Sequence, residues 1–270
     1  MRYAVISDLH ANPRAVEATL RHIEALGVDE VVCLGDIVGY YAEPSACLRI
    51  IRERNIECVS GNHDRAACGR LSFADAGATA RSAMDWTRRQ LNEEEKNFLA
   101  ELPLLRVYRS SGFSMVHGAL HPTPNTQLHL SSLPRVARSL DKLQSGYLGT
   151  RICFYGHTHR AAIHQRRQST TSIAPRGRVL LEADCYYLVN PGSVGQPRDR
   201  DPRPSFAVFD SERMAMEFHR CAHDATDCHA LAKRYGLLPK RRLHHRIFAA
   251  LQRLTGLRLR PNRRSLRWAR

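Results

Sequence analysis

Arg2-Tyr3-Ala4-Val5-Ile6-Ser7-Asp8-Leu9-His10 opens the stretch, residues 2–64, on which the fold turns. Residues 2–7 read as a strand entering a buried sheet, and Asn12-Pro13 opens a helix over 13–26. A second apolar run, Glu30-Val31-Val32-Cys33-Leu34, ends in Gly35-Asp36. A helix over 43–54 follows, then a strand at 56–59 that ends in Ser60-Gly61-Asn62-His63-Asp64. Strand, helix, strand, helix, strand in so short a stretch predicts a parallel βαβαβ unit.

Working outward, residues 75–101 read as helical, with Asn92-Glu93-Glu94-Glu95 as an N-terminal turn whose negative charge suits the positive end of the helix dipole. After Pro103 the rhythm changes to short strands at 104–109, 112–117, 151–155, 161–165, 179–189, 205–210 and 213–219. Their close spacing predicts antiparallel hairpins. Residues 119–148 interrupt them with a Pro-rich loop and a helix near 134–143, and 166–178 read as a polar loop. The expected class is α/β, with two packed sheets flanked by helices.

The chain has 270 residues, 43% of them hydrophobic and 25% charged, enough to bury a sizeable core. That composition excludes a disordered chain, a collagen-like chain and a disulfide-dense miniprotein. No apolar run approaches the ~18 residues of a membrane span, and the first residues read as a strand instead of a signal peptide, so the expected compartment is the cytoplasm. Eight cysteines without CxxC spacing are expected to be free thiols. His219, Cys221, His223, Cys228 and His229 read either as a soft-metal cluster or as surface side chains of a polar helix.

The net charge of +15 is unevenly placed. Residues 231–270 hold 13 basic residues and no acid, leaving 28 basic against 26 acidic residues in 1–230. Leu243, Ile247, Leu251 and Leu254 fall at helical spacing, with Arg242, Arg246 and Arg253 available for a polar face. Such a helix would dock on its own domain, lie on an anionic membrane surface or track nucleic acid.

The polar residues that end the predicted strands are of one chemical kind. Asp8 and His10 follow the first, Asp36 the second, and Asn62, His63 and Asp64 the third. His117 closes the strand at 112–117, and Gly156-His157-Thr158-His159 ends the strand at 151–155. Open α/β folds place their sites at such strand ends. A pair of divalent cations about 3.5–4 Å apart needs a bridging anion, for which Asp36 is suited. Imidazole and carboxylate donors together suit Mn, Fe, Zn, Co or Ni more than Ca or Mg.

Asp8-x-His10, Gly35-Asp36, Gly61-Asn62-His63-Asp64, His117 and Gly156-His157-x-His159 resemble the five motifs of calcineurin-like metallophosphoesterases. With Asn190-Pro191-Gly192-Ser193-Val194-Gly195-Gln196-Pro197-Arg198, the pattern is similar to small bacterial and archaeal phosphoesterases of the phosphodiesterase or diadenosine-tetraphosphatase-like kind. The resemblance implies a four-layer α/β/β/α sandwich of two mixed sheets over residues 1–220, and 221–270, largely outside it, read as a basic, partly helical extension. It implies a first metal on Asp8, His10 and His159, a bridging Asp36, and a second metal on Asn62, His117 and His157, with Mn the leading choice. His63 would face the substrate and serve the leaving oxygen, and Asp64 would orient His63. The reaction implied is in-line attack on a phosphodiester or phosphoanhydride, in a phosphorylated small molecule or a nucleotide, by a metal-bound hydroxide.

Arg65 is a candidate for a phosphate oxygen or a surface side chain, Arg198 sits where a Gly-rich loop would approach the site, and the 119–148 insertion is expected to form the rim, with His121 and His129 facing substrate or solvent. A catalytically silent metal-binding scaffold, or a nuclease recruited to nucleic acid through residues 231–270, are the alternatives. The presence of every expected ligand argues for the enzyme.

Overall fold

Three parallel strands, bonded edge to edge, carry the opening stretch. In a computed structural model, which describes residues 1–237 except 125, 169, 175 and 176, the chain runs β1 (Arg2–Ile6), α1 (Pro13–Ala25), β2 (Glu30–Cys33), α2 (Pro44–Glu53), β3 (Glu57–Cys58) and α3 (Asn62–Ala67). It continues through α4 (Ala78–Gln90), α5 (Glu93–Glu101), β4 (Leu105–Tyr108), β5 (Phe113–Val116), α6 (Leu133–Gln144) and β6 (Ile152–Phe154). The last elements are β7 (Ala162–Arg167), β8 (Thr170–Ala174), β9 (Val179–Leu180), β10 (Cys185–Asn190), β11 (Ser205–Asp210), β12 (Ala215–Arg220) and α7 (Thr226–Arg234). The basic amphipathic helix expected after residue 242 lies outside the described residues.

One sheet has the order β3-β2-β1-β11-β12-β9 and the other β4-β5-β6-β10-β7-β8. In the first, Val5 pairs with Val32 and Cys33 with Cys58 in parallel register. The second sheet corrects the expectation of hairpins throughout, because β5, β6 and β10 lie parallel. The polar loop expected at 166–178 is also corrected: β7 runs on to Arg167, and β8 pairs with it antiparallel, Gln165 opposite Ser172. A polar edge hairpin lacks the apolar alternation by which strands are recognised.

Alternation along each strand builds the layers. Ala4 and Ile6 face a cluster with Val16, Leu20 and Ile23 of α1 and with Leu48 and Ile51 of α2. Tyr3 and Val5 point the other way, into a layer shared with Phe113, Met115, Ile152 and Phe154 of the second sheet. Cys153 and Tyr155 then face Val136, Leu140 and Leu143 of α6. These three apolar layers between helices, sheet, sheet and helix are the α/β/β/α sandwich. Local signals agree: Asn12 accepts from the Ala15 N–H at the start of α1, and Asn92 and Glu95 cap α5 reciprocally.

Residues 221–237 pack on this body. Cys228, Ala232 and Leu237 are buried with Ala11, Tyr41, Ala42 and Ala83, and the Trp86 ring stacks on Tyr235.

Candidate metal centre

Asp8, Asp36, Asn62, His117 and the His157–His159 pair all follow the C-terminal ends of parallel strands, β1, β2, β3, β5 and β6. Backbone bonds stitch these loops together: His10 N–H to the Asp36 carbonyl (2.9 Å), Gly156 N–H to that of His117 (2.7 Å) and Gly195 N–H to that of Asp8 (2.9 Å). Asp8, His10, Asp36, His157 and His159 have φ between 50° and 63°, a left-handed conformation that side chains other than glycine's adopt at a cost of about 1–3 kcal/mol each. Such a cluster persists only where the surroundings over-determine it.

The side chains meet in a buried polar nest. His10 Nε2 lies 3.1 Å from His159 Nε2, and His159 Nε2 lies 3.3 Å from Asp8 Oδ1. Asp36 Oδ2 is 3.7 Å from His10 Nε2 on one side and 3.2 Å from His117 Nε2 on the other. His117 Nε2 also faces Asn62 Oδ1 at 3.1 Å. Asp36, His117 and His157 form one group of converging donors and Asp8, His10 and His159 another.

Hydrogen bonds to backbone carbonyls settle which ring nitrogens face inward. His10 Nδ1 faces the Val38 carbonyl (3.3 Å) and His159 Nδ1 the Gln196 carbonyl (2.6 Å). A carbonyl only accepts, so each Nδ1 carries the proton, and burial holds both rings neutral by pushing them well below the usual imidazole range. Their Nε2 lone pairs therefore point at each other and at two carboxylates, an arrangement that a cation relieves. This donor set fits divalent transition metals.

The charges respond accordingly. Burial pushes the Asp8 carboxyl up to about 7. Burial opposes ionisation of Asp36 too, but His117 and His63 beside it hold its carboxyl well below the usual range. Burial disfavours a charged His117, yet the Asp36 carboxylate keeps its ring protonated up to about 10, a proton that a cation would replace.

His63 sits at the edge of the nest. Its backbone N–H donates to Asp36 Oδ1 (2.8 Å), and its ring packs among Tyr40, His10 and Phe73. Nδ1 is buried without a hydrogen-bond partner and faces Gly39, where a Cβ would overlap it. Burial pushes the ring down to about 4.

Asp64 corrects the expectation that it orients the His63 ring. Its carboxylate instead accepts the backbone N–H groups of Asp36 (2.8 Å), Gly61 (2.9 Å), Ile37 (2.9 Å) and Val38 (3.2 Å), fixing the turn that carries Asp36. Arg65 reaches past the end of its own helix to the Arg70 carbonyl (3.4 Å).

The rim loop between β5 and α6 leans on the second group of donors. His129 stacks on His157 with ring centroids 3.7 Å apart, and His157 Nε2 faces the Gln127 carbonyl at 3.2 Å. His157 Nδ1 is thereby the nitrogen left for the centre. The sequence reading missed Tyr40, Ser193 and Asn190. Ser193 Oγ holds the Asp8 carbonyl (2.8 Å), and Asn190 Nδ2 holds that of Gly156 (2.7 Å). The Asn190–Arg198 motif was the available signal for the latter two; Gly39-Tyr40 reads as an ordinary turn.

The group His219, Cys221, His223, Cys228 and His229 does not converge on one point. His219 stacks on Phe206, Cys221 is buried beside Thr19 Oγ1, and His229 faces the Tyr41 hydroxyl (3.2 Å). Nor are these all surface side chains, because Cys221 and Cys228 are buried. All eight cysteines are free thiols.

Known proteins share this fold. The calcineurin-like phosphoesterase superfamily domain matches residues 1–214. An uncharacterised protein of Methanocaldococcus jannaschii is 32% identical over 242 residues, covering 89% of this chain and 93% of its own. A metallophosphoesterase crystal structure from Sphaerobacter thermophilus superposes with a TM-score of 0.71 at 35% identity, over 88% of this chain and 95% of that one. A hypothetical protein of Pyrococcus horikoshii OT3 shares the fold at 17% identity, with a TM-score of 0.70 over 88% and 94% of the two chains. Among the described residues, no helix is long and apolar enough to cross a membrane.

Proposed function

The chain belongs to the calcineurin-like phosphoesterase superfamily, and from that premise we propose that it is a cytoplasmic hydrolase with a binuclear metal centre, cleaving phosphodiester or phosphoanhydride bonds by in-line displacement at phosphorus. The observation that carries the binuclear reading is the position of Asp36 Oδ2 between His10 Nε2 and His117 Nε2, with a separate group of donors on each side. Asp8, His10 and His159 would hold one cation, Asn62, His117 and His157 the other, and Asp36 both. Manganese suits this mixture of imidazole, carboxylate and amide oxygen. Two such cations supply Lewis acidity to the phosphoryl oxygens and bring the pKa of a coordinated water towards ~7.

The chain's own residues then divide the remaining work. His63 turns Nδ1 to Gly39, so Nε2 is the atom that meets the leaving oxygen, where a ring that burial keeps neutral donates its N–H to the charge developing there. Asp64 acts at one remove, through the backbone turn that carries Asp36. Burial of the whole nest keeps water away from the donors and strengthens each electrostatic contact. The substrate on this reading is a phosphorylated small molecule or nucleotide. A catalytically silent scaffold has no use for the complete donor set together with His63.

Hydrolysis of bis-p-nitrophenyl phosphate by metal-stripped protein, with and without added Mn²⁺, tests the reading. Turnover that appears only with metal supports it. Stripped protein that turns over unaided, or Mn²⁺-loaded protein inert to this diester and to dinucleoside polyphosphates alike, overturns it.

A further inference from the structure

Resting on the phosphoesterase reading, we propose that Arg198 is the residue that receives the non-bridging oxygens of the phosphoryl group under attack, held for that task over the ring of Tyr40. Backbone bonds fix the Arg198 main chain against the centre. Val194 N–H donates to the Ser7 carbonyl (2.9 Å), Gly195 N–H to that of Asp8 (2.9 Å), and Arg198 N–H to that of His159 (3.1 Å). The loop after β10 is thus stitched to both metal-ligand loops of the Asp8–His10–His159 half.

The side chain is aimed as well as anchored. Its guanidinium carbon lies 5.4 Å from the Tyr40 ring centroid, and Nη2 donates to Gln196 Oε1 at 2.9 Å. The Tyr40 ring in turn lies 4.5 Å from the His63 ring and 4.7 Å from the His10 ring, centroid to centroid. Tyr40 itself has φ 63°, so its backbone is held in a costly conformation to present the ring there. A cation stacked on an aromatic face is oriented without being neutralised.

Neighbouring arginines differ. Arg203 pairs with Asp201 and Arg220 with Asp199, whereas Arg198 pairs with no carboxylate among the described residues. An exposed guanidinium with no carboxylate partner among the described residues, stacked on the ring that packs against His10 and His63, matches the charge and planar geometry of phosphoryl oxygens.

Calorimetric titration of the Mn²⁺-loaded full chain with inorganic phosphate, alongside steady-state hydrolysis of bis-p-nitrophenyl phosphate, tests this. Arg198→Ala is expected to weaken phosphate binding about 10–100-fold and to raise KM more than it lowers kcat, with metal content unchanged. Arg198→Lys keeps the charge but not the fork and falls between the two. Tyr40→Leu shifts phosphate affinity the same way by less. Arg198→Ala protein that binds phosphate and turns over like wild type removes Arg198 from the site while leaving the phosphoesterase reading intact. Mn²⁺-loaded wild type that neither turns over nor binds phosphate overturns both.

Discussion

The two halves of the candidate centre are built in different ways. Asp8, His10 and His159 stand on the loops after β1 and β6, and the two imidazoles are pinned through Nδ1 to the Val38 and Gln196 carbonyls of the loops after β2 and β10. In the other half, His117 has the same construction, with Nδ1 on the Leu34 carbonyl at 2.7 Å, but His157 depends on the rim. Its Nε2 faces Gln127 and its ring stacks on His129, both contributed by a loop outside the sheets. The strand-built half is a property of the fold, whereas the rim-built half can be adjusted by changing one loop. On the proposed reading the rim bears on the hold of the second cation and not of the first, with Asp36 joining the parts.

Breaking the join gives the largest effect. Asp36→Asn removes the anion between the halves, and turnover is expected to fall by more than about 10³-fold, equivalent to about 4 kcal/mol of barrier, with metal content by elemental analysis falling too. An Asp36→Asn variant that keeps full metal and full turnover would show that the halves act independently. His63→Ala leaves both halves intact, so metal content stays while turnover drops by about 10²–10⁴-fold in the bis-p-nitrophenyl phosphate assay.

Asp64→Ala probes the strand-built frame. It leaves backbone N–H groups around Asp36 without their acceptor, and the denaturation midpoint should report a loss of at least about 3 kcal/mol. His129→Ala is the mildest and the most selective. Loss of the stack on His157 should weaken one of two metal-binding steps about 10-fold in a calorimetric titration and leave the other unchanged. Equal weakening of both steps would erase the distinction between the halves.

The difference also decides what the sequence reveals. Strand-end candidate donors are legible because a parallel strand, its Gly-containing turn and its polar residues are adjacent in the chain, as in Cys33-Leu34-Gly35-Asp36. The βαβαβ opening and both capped helices are equally local. Pairing between distant strands is not: β5, β6 and β10 lie parallel because of how long connections return, which spacing does not encode. The backbone role of Asp64 was hidden for the same reason, since the N–H groups of Asp36, Ile37 and Val38 that it accepts lie on another loop. Likewise Tyr40 and His129 gain meaning only from rings brought to them by the fold.

The central claim is a pair of cations bridged by Asp36, and electron paramagnetic resonance of the Mn²⁺-reconstituted chain tests it most directly. The account predicts the spectrum of an exchange-coupled Mn²⁺ pair, complete when two ions are bound per chain, and its replacement by isolated-ion signals in Asp36→Asn. Saturation at one ion per chain, or a coupled pair that survives Asp36→Asn, would contradict it.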